Sequence, residues 1–296
     1  MRNLKTILSI AGSDSIGGAG IQADVRAANA CGVHCLTAVT SVTAQNSKGI
    51  KAIYPLSPEM IKSQIESVLE DVMPDAIKIG LIGSVAASEA IADCLDSINE
   101  KIPMVVDPIL SASAGGYADK EFEKSSLINF YQTLFLERLI IPTPNFHEAQ
   151  MLLHTKSSSL SECAVGLLNK FELEAIIVTG GDGHTITPVE AIYGNDSLAD
   201  ILVCLGKEKI FKETTNLTDK KIVEKIIVNK RISTHNLHGT GCLFSTILAC
   251  NLAKGANITE AFVSTSQFQH KIIENSRNYV LGGSSYGPLN INGYSF

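Results

Sequence analysis

Apolar runs of strand length alternate along the chain with segments of helical periodicity. Runs at 5–11 (KTILSIA), 34–41 (HCLTAVTS), 75–81 (DAIKIGL), 103–107 (PMVVD), 139–142 (LIIP) and 174–179 (EAIIVT) predict strands. The segments 18–31, 58–71, 84–99, 146–154 and 160–171 have helical spacing, as do 241–254 and 259–275 toward the end of the chain. Strands this uniformly apolar need cover on both faces. The βαβα rhythm therefore predicts a three-layer α/β/α sandwich around a mostly parallel sheet. One stretch breaks the rhythm: 190–237 sets strand-like pieces around a charged, Thr-rich middle and predicts an antiparallel edge or excursion. With no long linker, low-complexity tract or repeat, residues 1–296 read as one domain.

Composition narrows the function classes. A 45% hydrophobic share with 18% charged residues and 23 glycines excludes a disordered chain and suits tightly turned α/β enzymes. The 24 Lys+Arg against 30 Asp+Glu give a net charge of −6, so no nucleic-acid partner is expected and any anion must be held by local groups. The first apolar run is interrupted by Lys5, Thr6 and Ser9 and stops at Gly12, too short for a membrane span. A cytoplasmic protein without a membrane partner is expected. Seven scattered cysteines fit free thiols, and Cys31, His34 and Cys35 lack the second ligand pair of a zinc site.

Open α/β sheets bind ligands at the carboxyl ends of their strands, so the residues just after each strand carry the candidate chemistry. The turn Gly17-Gly18-Ala19-Gly20 lacks the Lys-Ser/Thr pair of a phosphate loop; its glycines fit a tight turn, while Asp14 and Asp24 beside it suggest substrate contact. The sequence His238-Gly239-Thr240-Gly241-Cys242 opens a helix. Its backbone N–H groups and the helix dipole make an anion site without a basic side chain. A thiol there is expected to have its pKa lowered toward neutrality, so that Cys242 accepts a proton. Asn145 and Glu148 are spaced as a capping pair, yet the carboxylates of Asp107 and Glu148, both following strands, also suit an outer-shell or direct Mg²⁺ site bridging phosphates. Of the histidines, His235 and His238 are the better placed, with His238 shaping its loop.

Together, IAGSDSIGGAGIQAD at 10–24, TAQN at 43–46, KIGL at 78–81, VDPIL at 106–110, TPNFHEA at 143–149 and HGTGCLFS at 238–245 resemble the hydroxymethylpyrimidine/phosphomethylpyrimidine kinases of thiamin biosynthesis. These are the vitamin-kinase branch of the ribokinase-like superfamily. The resemblance implies a homodimer that uses MgATP to phosphorylate a primary alcohol, here 4-amino-5-hydroxymethyl-2-methylpyrimidine and then its monophosphate. By the same resemblance, Gly12, Asp24 and Gln45 hold the aminopyrimidine, and Ala19, Thr43, Leu81 and Ile109 line its pocket. Gly239, Thr240 and Gly241 form the anion hole with Cys242 at the base position, and Asp107, Asn145 and Glu148 serve Mg²⁺ and phosphate. Thr179 and Gly181 flank the nucleotide, Thr179 standing where many members carry Lys. The alternatives are a pyridoxal kinase of the same branch and a catalytically silent pyrimidine-binding protein. A carboxamide fork at Gln45 suits the pyrimidine's paired ring nitrogen and amine.

Overall fold

The computed structural model describes residues 4–98, 101–110, 128–135, 139–157, 159–180, 196–206, 222–282 and 287–292. Its larger sheet has six strands: β1 (Thr6–Asp14), β2 (His34–Asn46), β3 (Gly49–Pro55), β4 (Ala76–Ile79), β5 (Met104–Val106) and β6 (Ile140–Pro142). They lie in the order β3-β2-β1-β4-β5-β6, every neighbouring pair parallel except β2 with β3. A second sheet, antiparallel throughout, is built from β7 (Ala175–Val178), β8 (Ser197–Leu205) and β9 (Ile222–Lys230). The two meet at a parallel bridge between Asn145 and Thr179, where Phe146 N–H donates to the Thr179 carbonyl and Thr179 N–H to the Pro144 carbonyl, each at 3.0 Å.

Seven helices are named here: α1 (Gly20–Ala30), α2 (Pro58–Leu69), α3 (Val85–Asp96), α4 (Phe146–Leu153), α5 (Leu160–Lys170), α6 (Thr240–Ala253) and α7 (Ile258–Asn275). Side chains alternate across a strand, and the strands feed two separate cores. Leu8, Ile10, Ile77 and Ile79 pack with α2, α3 and a helical stretch at 128–135. Ile7, Ala76 and Val105 pack on the other face with α1, α6 and α7. Every residue of α6 from Cys242 to Ala253 is buried, which its apolar sequence on all sides requires. The sandwich expected from the βαβα rhythm is the fold observed.

Two differences from expectation share a cause. β2 continues through Asn46, so Thr43–Asn46 belong to the strand instead of following it, and β3 was not predicted at all. GIKAIYP exposes most of its side chains at the sheet edge, so it lacks an apolar alternation; it is a strand because β2 extends far enough to pair with it. The stretch 190–237 does supply an antiparallel hairpin, β8 with β9; its connection at 207–221 lies outside the described residues, as do residues 111–127.

One polar cluster crosses the α1–α6 face of the sheet. Lys78 and Asp24 are both fully buried and pair at 2.8 Å. Ser9 Oγ donates to Asp24 Oδ2 at 2.6 Å and Thr246 Oγ1 to Oδ1 at 2.8 Å, so the carboxylate ties β1, β4, α1 and α6 together. Asp24→Ala strands a buried ammonium and is expected to destabilise the fold by about 3–5 kcal/mol. Urea unfolding measures it; a loss below ~1 kcal/mol would contradict this account of the cluster.

Candidate active site

The site is assembled from two turns that interlock. In the first, after β1, the Asp14 carboxylate accepts N–H groups of Ile16, Gly18 and Ala19 at 2.9–3.1 Å. An internal anion thus fills the nest of donors that a phosphate would need, which explains why this Gly-rich turn is no phosphate loop. In the second turn, His238 Nε2 lies 2.9 Å from Asp14 Oδ2. Gly18 leaves the space for that ring: a Cβ there would stand 2.2 Å from His238 Cδ2. Gly239 has φ +87°, and a Cβ on it would stand 1.9 Å from the Gly18 carbonyl oxygen. Only glycine satisfies both the left-handed backbone and this approach. Burial alone would raise the Asp14 carboxyl, but hydrogen bonds from His238 and the turn's N–H groups hold it below its ordinary value.

His238 also reaches the Gln45 carboxamide at 3.0 Å. Asp14 takes the one hydrogen that this ring nitrogen carries, with the Gln45 carboxamide packed against the same edge of the ring. The carboxamide also stands 3.5 Å from Thr43 Oγ1, whose own hydrogen goes to the Ser13 carbonyl at 3.0 Å.

A cavity of about 820 Å³ runs along the carboxyl ends of the strands. Gly12, Ala19, Thr43, Gln45, Leu81 and Ile109 line one end, Asp107 and Gly239–Cys242 the middle, and Asn145, Glu148, Thr179 and Asp200 the other. Gly181 lies outside the described residues. Gly241 sits against Asp107: a Cβ on it would be in ordinary contact, 3.4 Å from Asp107 Oδ2. No side chain caps α6, and among the described residues no acceptor meets the N–H groups of Gly241 and Cys242. Such donors, with the dipole behind them, favour negative charge at this point of the cavity.

Two expectations need correction, and a third is met. Asp24 does not reach the cavity; its oxygens are committed to Ser9, Lys78 and Thr246 beneath it. The Cys242 thiol is not lowered: burial pushes it up to about 12, with Lys78 opposing and Asp107 and Asp24 adding to the rise. Desolvation outweighs the helix terminus. Asn145 and Glu148 do form a capping box, with Glu148 N–H on Asn145 Oδ1 at 2.8 Å and Asn145 N–H on Glu148 Oε2 at 2.9 Å, so the helix start already orients the carboxylate that lines the cavity. Several residues escaped sequence reasoning, among them Asn229, Lys230, Arg231 and Gln269 of the cavity wall and two buried charged groups. Lys78 lies in a strand whose neighbours are all apolar, and Asp200 in the irregular stretch; burial pushes the Asp200 carboxyl up to about 6 against one N–H bond from Gly180.

An α/β/α sandwich with a Gly-rich turn at the head of a buried helix and a cavity along the carboxyl ends of its strands is the fold of the ribokinase-like vitamin kinases. The profile of the family described as phosphomethylpyrimidine kinase matches residues 14–290, and the chain belongs to that family. It is 32% identical over 294 residues to the hydroxymethylpyrimidine/phosphomethylpyrimidine kinase of Bacillus subtilis, covering 96% of this chain and 93% of that one. It is 33% identical over 286 residues to a probable chloroplastic thiamine biosynthetic bifunctional enzyme of Oryza sativa, covering 96% of this chain and 47% of the relative. The chain thus spans about half the length of the plant relatives it matches. The crystal structure of phosphomethylpyrimidine kinase from Clostridium difficile superposes with a TM-score of 0.69 at 30% identity, over 91% of this chain and 99% of that one.

Because Asp14 is held below its ordinary pKa, its contribution to stability is complete above the usual carboxylate range and is lost as pH falls through the depressed value. Asp14→Asn is therefore expected to lower stability at pH 7 and to flatten its decline below about pH 4. Thermal melts across pH test this, and equally steep acid limbs would contradict it.

Proposed function

We propose that the protein transfers the γ-phosphoryl group of ATP to the hydroxymethyl oxygen of 4-amino-5-hydroxymethyl-2-methylpyrimidine, and then phosphorylates the resulting monophosphate. The observation that carries this reading is the continuity of one cavity from Gln45, past the N-terminus of α6, to Thr179. The pyrimidine lies at the Gln45 end, its exocyclic amine and ring nitrogen read by the carboxamide that His238 and Thr43 orient. The transferred phosphoryl group sits against the N–H groups of Gly241 and Cys242, which take up its charge as the new O–P bond forms and the bridging O–P bond to ADP breaks. Asp107, Asn145 and Glu148 would hold Mg²⁺. All are oxygen donors, and among the described residues no cluster of three His, Cys, Asp or Glu makes a full protein cage. That fits an ion shared with phosphates and water. The metal would neutralise the phosphate oxygens.

Cys242 occupies the base position, but with its thiol near 12 it carries its proton at neutral pH. In a loose transition state the alcohol proton leaves late, so positioning and charge stabilisation carry most of the rate. If the thiolate takes that proton, kcat/KM of the free enzyme keeps rising with pH beyond the ordinary thiol value of about 8.5. Cys242→Ser then lowers kcat by roughly 10²- to 10⁴-fold with ATP affinity retained. A flat profile and a near-normal kcat in the variant would reduce Cys242 to a packing group.

Within the plane of the sheet edge, Val42 and Tyr54 are register partners and both are exposed, 47% and 71%. This apolar pair supports a homodimer through β2 and β3. We place the protein in the cytoplasm on its free cysteines; no described helix is long and apolar enough to cross a membrane.

ATP consumption with the hydroxymethylpyrimidine and with pyridoxal, measured side by side, tests the assignment. Turnover of the pyrimidine in preference is expected; preference for pyridoxal would give the runner-up, and no turnover of either a silent binding protein. Gln45→Met should weaken pyrimidine binding by about 1–3 kcal/mol and leave ATP binding unchanged, because it strips the ring nitrogen and amine of their partner. Equal losses for the two ligands in calorimetry would sink this placement of the pyrimidine.

A further inference from the structure

Lys78 has no role in the chemistry above, yet it is a fully buried ammonium paired with Asp24. Alternation along β1, β4 and β5 turns Ser9, Lys78 and Asp107 to the face covered by α1 and α6. Asp24 from α1 and Thr246 from α6 meet them there. Thr246 is one helical turn deeper than Cys242 on the same side of α6, so the carboxylate it holds lies on the far side from the cavity. The Lys78 side chain runs the opposite way. A Cβ on Gly80 would stand 2.7 Å from Nζ, which places the ammonium along β4 toward the strand's carboxyl end, where the cavity opens. The ion pair is thus oriented with its positive end toward the Gly239–Cys242 turn and its negative end away, in the same sense as the α6 dipole.

We propose that Lys78 is a positioning residue of the phosphoryl-transfer site: with Asp24 as its deep counter-charge, it sets positive potential beneath the anion turn and stabilises negative charge that gathers there during transfer. This rests on the anion-site reading of Gly239–Cys242. Electrostatics agree with the geometry. Burial lowers the Lys78 ammonium, but the Asp24 carboxylate, with Asp107 beyond it, outweighs burial and leaves the group raised and charged. Lys78 is also the first group that opposes the rise of the Cys242 thiol. An acidic protein with no basic side chain in the turn itself gains a fixed cation in this way without exposing it.

The test compares Lys78→Met with the double variant Lys78→Met/Asp24→Asn, whose neutral carboxamide can accept from one of Ser9 and Thr246 and donate to the hydroxyl oxygen of the other. Pyrimidine binding is measured by calorimetry and kcat by steady-state ATP turnover. In the double variant, pyrimidine affinity should stay within about twofold while kcat falls about tenfold or more, short of the ~10²–10³-fold that loss of a direct donor brings. Lys78→Met alone should fall further, because a bare carboxylate then underlies the site. A double variant with wild-type kcat would overturn the proposal, as would one that loses pyrimidine affinity and kcat in equal measure. Failure of the double variant to fold would do the same, by showing the pair to be purely structural. If instead the unsubstituted protein turns over no pyrimidine, the site reading fails and not the role of the pair.

Discussion

The close approach of two turns, one after β1 and one before α6, is the constraint on which the site depends. Gly18 and Gly239 allow it sterically, and the Asp14–His238 pair holds it at 2.9 Å across 224 positions of sequence. The contact does three things at once. It consumes the donors of the first turn, leaves those of the second turn pointing into the cavity, and fixes the Gln45 carboxamide through His238. A charge-assisted hydrogen bond in a buried setting is worth more than a neutral one, so this single pair can set the separation between pocket and anion site.

Beneath that contact, a second layer of polar groups does for the helices what the turns do for the ligands. Asp24 collects Ser9, Lys78 and Thr246, and so fixes α1 and α6 against the strands whose ends carry the site. A buried charge is tolerated because each oxygen has a partner. The same burial that makes the cluster rigid raises the Cys242 thiol, and the cost of a thiolate there is what an oriented cation below it reduces.

Much of the fold was legible in the sequence because each apolar run is buried on both faces. Ile77 and Ile79 feed one core and Ala76 the other, so the whole run reads as apolar, and the helices between show their spacing plainly. β3 was not legible: an edge strand with exposed side chains owes its form to its partner. The turn motifs revealed Gly12, Asp14, Asp107, Glu148 and the Gly239–Cys242 wall of the cavity through their position after strands or before α6. They failed at Asp24, where an acidic residue beside a Gly-rich turn faces the interior, and at Cys242, where the sequence displays the helix terminus but not the depth of burial. Lys78 was hidden by its own neighbours, since a single cation in KIGL reads as part of a strand until its counter-charge from α1 is placed beside it.

A double-mutant cycle of Asp14→Asn and His238→Gln, read as affinity for 4-amino-5-hydroxymethyl-2-methylpyrimidine, tests the interlocked turns most directly. If the pair sets the pocket, the two substitutions should be coupled by about 1 kcal/mol or more, since either one alone already releases the contact. Losses that add to within ~0.5 kcal/mol would show that the turns hold their places independently, and would contradict the account.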